Sequence, residues 1–372
     1  MAGLYRFEPD YAVHPGETLR EKLEELNMNP KEFAVRVGKP VKTISNILNG
    51  KSSITPEIAV QFEKVLGISA SFWMAKQANY SEYIAREKEK QKLEDGIEWA
   101  KKFPYKQLAE MGYVKNTRRS KERVEELLNF FNISKPEAWK KIYLEQAVPV
   151  FFRISLNHTK DPYSLSILLR IGEIEAGKMK RKPYNRKKLK EILPILKEIM
   201  ISEDTNFLEK IQQYCLEAGV KVVYTKSLLK VPINGVVRWI DENPIIQITD
   251  RYKRYDVFWF SLFHELGHVL LHGRKKNIFL EDIENINIHD EKEEEANKFA
   301  ENYLLSKEQY NEIITAINLS DKTPNIILKI INEYAKKFRT HKDIIIGRIL
   351  YYNKELYKFS FLRKELKKID FK

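Results

Sequence analysis

The sequence predicts a mostly α protein with a small α+β part toward its C-terminal end, and three observations predict it. Apolar residues recur at three- and four-residue steps through most of the chain. Capping and stop residues return at the spacing of short helices. β-Branched runs of strand length cluster in one stretch after Gly219. At ~150 residues per domain, 372 residues fit two or three domains. The expected divisions are a helical bundle over 1–87, a helical region over 88–215 and an α+β region over 216–372.

Taken in order, Thr18 to Leu26 puts Leu19, Leu23 and Leu26 on one face, and Pro30 opens PKEFAVRV as a proline in a first turn can. Gly38 ends that helix. VKTISNILNG follows and closes on Asn49-Gly50, Thr55-Pro56-Glu57 starts a fourth helix, and SFWMAKQANYSEYIAREKEK is the fifth. Phe33 to Gly50 has the dimensions of a helix-turn-helix, with Ala34, Val37, Ile44 and Leu48 as packing positions. Its second helix exposes Lys42, Thr43, Ser45 and Asn46, residue types that read base edges or hold phosphates. The solvent face of a plain five-helix bundle carries such residues too, and periodicity alone does not separate the two readings.

Beyond residue 88, ERVEELLNFFNI and LKEILPILKEIM continue the helical pattern, interrupted by Pro104, Pro136, Pro149 and Pro183. VKVVY, GVVRWI and PIIQIT then read as strands whose short connections predict a small antiparallel sheet. Asp256 to His272 is a long apolar helix with Phe258, Trp259, Phe260 and Phe263 as core. Further helices are expected over Glu291–Leu305 and Ile326–Phe338, with a strand-like run from Asp343 to Tyr352 closing the pattern.

Hydrophobic residues make up 43% and charged ones 31%, which excludes collagen-like and largely disordered chains. No apolar run approaches the ~18 to 20 residues that cross a bilayer, and MAGLYRFEPDY carries acids where a signal peptide is apolar, so a cytoplasmic protein is expected. Cys215, the single cysteine, excludes an internal disulfide and a thiolate zinc cage, and is read as buried packing. Net charge is +13 and unevenly placed. Residues 1–80 are nearly neutral, Lys178–Lys197 holds nine cations against one acid, and Glu281–Glu295 holds eight acids against one lysine. KMKRKPYNRKKLK, with Tyr184 inside it, and the basic tail from Lys354 are either solvated faces or phosphate contacts.

His264-Glu265-Leu266-Gly267-His268 is an HExxH. On a helix, residues four apart are offset by ~40°, so both imidazoles can reach one ion while Glu265 serves as general base toward the water it activates. Any metal must use His and carboxylate ligands. A third comes from the acidic run that opens EEEANKFAENYLL: Glu293 shares a face with Asn297, which would support a neighbouring His, whereas Glu294 would face water. Glu295 is the next choice. His272 is a rival, but over eight residues the drift reaches ~80°, which disfavours three ligands on one straight helix.

HPGETLREKLEELNMNPKEFAVRVGKPVKTISNILNGKSSITPEIAVQFEKVLG, continuing into SFWMAKQANY, closely resembles the HigA-like antitoxin branch of the XRE repressor family over roughly residues 10 to 85. The resemblance implies a homodimeric module that binds a palindromic operator, often its own promoter and often alongside a toxin. RYKRYDVFWFSLFHELGHVLLHG with EEEANKFAENYLL resembles the ImmA/IrrE family of zinc metallopeptidases, whose fold is zincin-like. GVVRWIDENPIIQITD and IIIGRIL resemble segments flanking that family's site, and LLRIGE and FFRIS resemble the linker of antitoxin–peptidase fusions. Carried over residue by residue, this implies Zn2+ on His264, His268 and Glu293, Glu265 as catalytic acid/base, and an XRE-type repressor as the protein cleaved. The departure is the fusion itself, since such a peptidase usually cuts a separate repressor. The other function class open to the chain is an antitoxin whose zinc domain is a non-proteolytic sensing or binding scaffold.

Overall fold

The computed structural model describes residues 12–145, 161–240, 242–273, 287–321, 323–352 and 361–371. The FFRIS segment, the acidic run up to residue 286 and the start of the basic tail lie outside them. The chain divides into two compact units, Met1–Glu98 with Arg119–Glu125, and Trp99–Arg118 with Glu126–Lys372.

The first unit is built from α1 (Pro15–Glu25), α2 (Pro30–Arg36), α3 (Val41–Leu48), α4 (Pro56–Leu66) and α5 (Ala70–Lys92). Its boundaries follow from capping chemistry. The His14, Asn29 and Thr55 side chains accept hydrogen bonds from the first-turn amides of α1, α2 and α4, each of which has proline in its first turn. Phe62 lies between Phe33 (5.1 Å) and Trp73 (5.5 Å) at the centre of the core. One packing position differs from expectation. Leu26 is 43% exposed because α1 ends at Glu25; on α3, Leu48 packs against the core half-buried, and Ile47, at 0% exposure, joins Ile44 at its centre. The Arg20 guanidinium on α1 donates to the Leu48 carbonyl at 2.7 Å and so caps α3.

The second unit carries the short helices α6 (Ile97–Ala100), which spans the boundary, α7 (Tyr105–Glu110) and α9 (Pro136–Lys140); α8 (Ser120–Phe131) is divided between the units. An aromatic cluster fills this part, with Trp139 stacked on Tyr163 at 4.7 Å. Then come α10 (Pro162–Gly177), α11 (Arg186–Ile201), α12 (Phe207–Glu217), β1 (Lys221–Thr225), β2 (Gly235–Ile240) and β3 (Asn243–Thr249). The sheet is mixed rather than antiparallel. Its order is β1-β3-β2, with β2 and β3 antiparallel but β1 and β3 parallel. The connection over 226–234 is long enough for the chain to cross, so sequence neighbours β1 and β2 do not pair. Central β3 is buried along its whole length.

Helix α13 (Tyr255–Gly267) continues into a π-turn (His268–His272), closed by the Gly273 amide on the His268 carbonyl at 3.3 Å. It is followed by α14 (Asn287–Leu304), α15 (Lys307–Asn318), α16 (Pro324–Lys337) and α17 (Lys342–Tyr352). The last is a helix where the sequence pattern predicts a strand. A β-branched apolar run suits any buried element, and here Ile345, Ile346 and Ile349 are buried on a helix. Gly347 permits this packing, since a Cβ there would overlap the Asp256 carboxylate on α13. Of the expected aromatic core, Phe258, Trp259 and Phe263 are buried, whereas Phe260 is only partly so and lies near the His264 ring. Cys215 is buried, and burial pushes its thiol up to about 12. Among the described residues no helix is long and apolar enough to cross a membrane.

Candidate functional site

Three cations from neighbouring elements fix the two helices that matter most. Arg186 donates to the Leu270 carbonyl at 2.8 Å at the end of the π-turn, Lys197 donates to the Tyr303 carbonyl at 2.7 Å, and Arg348 donates to the Leu305 carbonyl. Positive groups at helix C-termini satisfy orphan carbonyls and complement the macrodipole. With α13 and α14 fixed in this way, their side chains meet.

His264 and His268 approach each other with Nε2 atoms 3.0 Å apart. Each Nε2 lies 3.2 Å from one oxygen of the Glu293 carboxylate. These two nitrogens and one oxygen lie within 4.8 Å of one another, and a His₂Glu donor set of this kind suits a zinc ion with an open position. His264 Nδ1 lies 2.9 Å from Asn297 Oδ1. That amide oxygen can only accept, so Nδ1 donates to it, and Nε2, which faces Glu293, is the nitrogen whose lone pair an ion would take on displacing its proton. Burial opposes ionisation of Glu293, but hydrogen bonds from both imidazoles hold its carboxyl well below the usual range. Burial likewise acts against protonation of His264, and the carboxylates of Glu293 and Glu265 outweigh it and raise its pKa.

Glu265 is buried, and burial pushes its carboxyl up while the positive charge of His264 and His268 pulls the other way. It accepts a hydrogen bond from the Val237 amide on β2. Gly235 leaves room for it, since a Cβ there would lie 2.8 Å from Oε1. Neither contact is legible from the sequence, because nothing in HExxH says which strand packs against its Glu. His272 stands apart from the three-atom cluster. Its Nε2 lies 3.2 Å from the Lys292 carbonyl and its Nδ1 3.7 Å from Glu295, so it joins the π-turn to the start of α14. Glu294 points to solvent and pairs with Lys298 at 2.8 Å.

In the first unit, α3 presents Lys42 exposed and Thr43, Ser45 and Asn46 half-buried on its outer side, opposite Ile44 and Ile47. Ser45 Oγ accepts from the Asn49 side chain at 3.4 Å. Asn49 and Val41, both exposed, lie at the two ends of this face, and residue type alone does not single them out. A row of solvent-facing donors on a short, firmly packed helix is what a duplex groove can accept.

The chain matches the helix-turn-helix family model over residues 19–73 and that of the IrrE N-terminal-like domain, peptidase family M78, over residues 215–355. It is 37% identical over 67 residues to the uncharacterized HTH-type transcriptional regulator YddM of Escherichia coli K12, covering 18% of this chain and 71% of that protein. It is 43% identical over 70 residues to virulence-associated protein A of Dichelobacter nodosus, covering 18% and 69%. Among solved structures it is similar to the Pseudomonas aeruginosa antitoxin HigA with the higBA promoter, at 29% identity and a TM-score of 0.22, covering 23% of this chain and 94% of that one.

Proposed function

From a chain that belongs to the helix-turn-helix regulator family and carries a C-terminal IrrE-like M78 peptidase domain, we propose a cytoplasmic, dimeric, DNA-binding regulator with zinc-dependent endopeptidase activity. Its target is an XRE-type repressor or its own N-terminal module, and cleavage relieves repression at a palindromic operator. A toxin is a further partner in the antitoxin version of this reading. The observation that carries the peptidase reading is the convergence of His264, His268 and Glu293 with Glu265 buried beside them. A site that only held an ion has no need of a fourth side chain, a non-ligating carboxylate, at that place.

His264, His268 and Glu293 would hold a zinc ion, which when bound would supply Lewis acidity toward a peptide carbonyl and toward water. Glu265 handles the proton: its carboxylate takes one from the attacking water and returns it to the leaving amine. The Val237 amide orients that carboxylate, and Asn297 sets the tautomer of His264.

The test combines Glu265→Gln with zinc analysis. The substitution is nearly isosteric, so zinc content and DNA binding stay, while the rate of formation of new chain termini falls by ~10² to 10⁴. The assay mixes purified protein, zinc and the product of the neighbouring gene. Glu293→Ala lowers zinc affinity more than Glu294→Ala or Glu295→Ala. If no cleavage product forms under any inducing condition and both chains repress alike in cells, the peptidase reading fails and a non-proteolytic antitoxin scaffold replaces it.

A further inference from the structure

The basic run over Lys178–Lys190 is not a loose linker. Its backbone is pinned: the Lys182 carbonyl accepts from the buried Asn243 side chain, and the Asn185 amide donates to the Ala218 carbonyl at 2.9 Å. Two of its side chains are held against the fold. Tyr184 packs edge-on against Trp239 at 5.1 Å, and Arg186, although exposed, holds the Leu270 carbonyl. Lys180, Arg181, Lys182, Lys187 and Lys190 turn outward and are exposed. Lys187 and Lys190, three residues apart, share the outer face of α11, opposite buried Leu189, Ile192 and Leu193. Among the described residues, Lys180, Lys182, Lys187 and Lys190 have no carboxylate partner.

The charge is also placed against the local field. Helices α1, α2, α4, α13 and α15 each carry an acid in their first turn, namely Glu17, Glu32, Glu57, Asp256 and Glu308. Helix α11, like α3, α7, α10 and α16, has none there, and it begins with Arg186, Lys187 and Lys188. Cations at a helix N-terminus oppose the macrodipole; Lys188 is paired with Glu217 at 3.1 Å and Arg186 holds a carbonyl, which leaves Lys187 as the first-turn cation facing an external anion.

We infer that this face is a second nucleic-acid contact, on the peptidase-bearing unit and separate from α3, and that it takes the phosphate backbone of duplex DNA without reading sequence. The lysines supply point charges for phosphates. Tyr184, the patch's aromatic, is packed on Trp239 and so cannot stack on a base, which argues against single-stranded recognition. An acidic protein partner would need a large apolar or aromatic anchor at the centre of the contact, and apart from Pro183 and Asn185 the outward residues here are cations. The inference does not depend on zinc or on proteolysis.

The test uses the full chain and a 24-base-pair duplex of random sequence, with anisotropy titrations at several salt concentrations. Replacing Lys180, Lys182, Lys187 and Lys190 together by Gln should flatten the slope of log K against log salt by about 3 to 4, since each phosphate contact contributes ~0.9. Arginine at the same four positions should restore the slope. Zinc content and melting temperature, unchanged in both, exclude misfolding as the cause. An unchanged slope overturns the inference. So does displacement of the DNA by polyglutamate at equal charge concentration, which would assign the face to acidic proteins.

Discussion

Helix α3 and helix α13 with its π-turn differ in how far the side chains proposed for function are withdrawn from solvent. On α3, Ile44 and Ile47 hold the helix in place, and Lys42, Thr43, Ser45 and Asn46 are left to face outward. On α13, Glu265 and His268 are themselves buried, alongside Leu262, Phe263 and Leu266. On the proposed reading, packing and function use different residues in the first case and the same neighbourhood in the second. Substitutions on the outer side of α3 are then expected to spare the fold, whereas those around His264, His268 and Glu293 are expected to reach the core.

The largest expected effect tests whether that contrast belongs to two independently folding units. Trp73 and Trp259 are both fully buried, one in each unit. Truncating either to Ala should cost ~3–5 kcal/mol. Trp73→Ala is expected to abolish operator binding with zinc content intact, and Trp259→Ala to do the reverse. Calorimetry with metal analysis reads both outcomes. Loss of zinc from Trp73→Ala would show that the units are not energetically separate.

Next in size is the pair Lys42→Ala with Asn46→Ala. Removing a base-reading side chain should weaken operator binding by ~1–3 kcal/mol for each base it reads, measured at one ionic strength. Stability should move by no more than about 0.5 kcal/mol, because both side chains lie off the core. A gel shift unaffected by the pair removes α3 from the groove.

How much of this is legible in the sequence depends on how far apart the interacting residues are. The helix starts are readable, because Asn29 and Thr55 cap amides three residues away. The shared face of Glu293 and Asn297 is readable because i,i+4 geometry is local. What the sequence does not show is long-range. The run Asp343–Tyr352 is a helix because it packs beside α13 at Gly347, and the parallel pairing of β1 depends on a crossover that strand composition does not encode. The π-turn that carries His268 and His272 likewise leaves no local pattern, and it directs His272 to Lys292 instead of the cluster.

A smaller effect is expected at Asn297, whose amide oxygen holds His264 Nδ1 at 2.9 Å. Asn297→Ala should reduce zinc affinity ~10- to 100-fold without removing a ligand. Asn297→Asp keeps an acceptor and should recover most of it, as read by competition with a chromophoric chelator. Equal losses in the two variants would mean that residue 297 supports α14 rather than the imidazole.

The smallest effect is expected at the turn between α2 and α3. Gly38 has φ +64°, and a Cβ added there would meet no heavy atom within 4 Å. Gly38→Ala therefore costs only the left-handed backbone preference, ~1–2 kcal/mol, with no steric contribution. Gly38→Asn should recover part of that, since Asn tolerates this conformation. Gly347→Ala makes the opposite case in the second unit, where the obstacle is the Asp256 carboxylate and the backbone is ordinary helix. Denaturant titration of the three variants separates the two causes: Asn rescues position 38 because the problem there is φ, while at 347 any side chain meets Asp256. If Gly38→Ala lost operator binding with its stability intact, the turn would be setting the angle of α3 in the groove. Recognition in the first unit would then depend on backbone geometry as much as the metal site depends on its core.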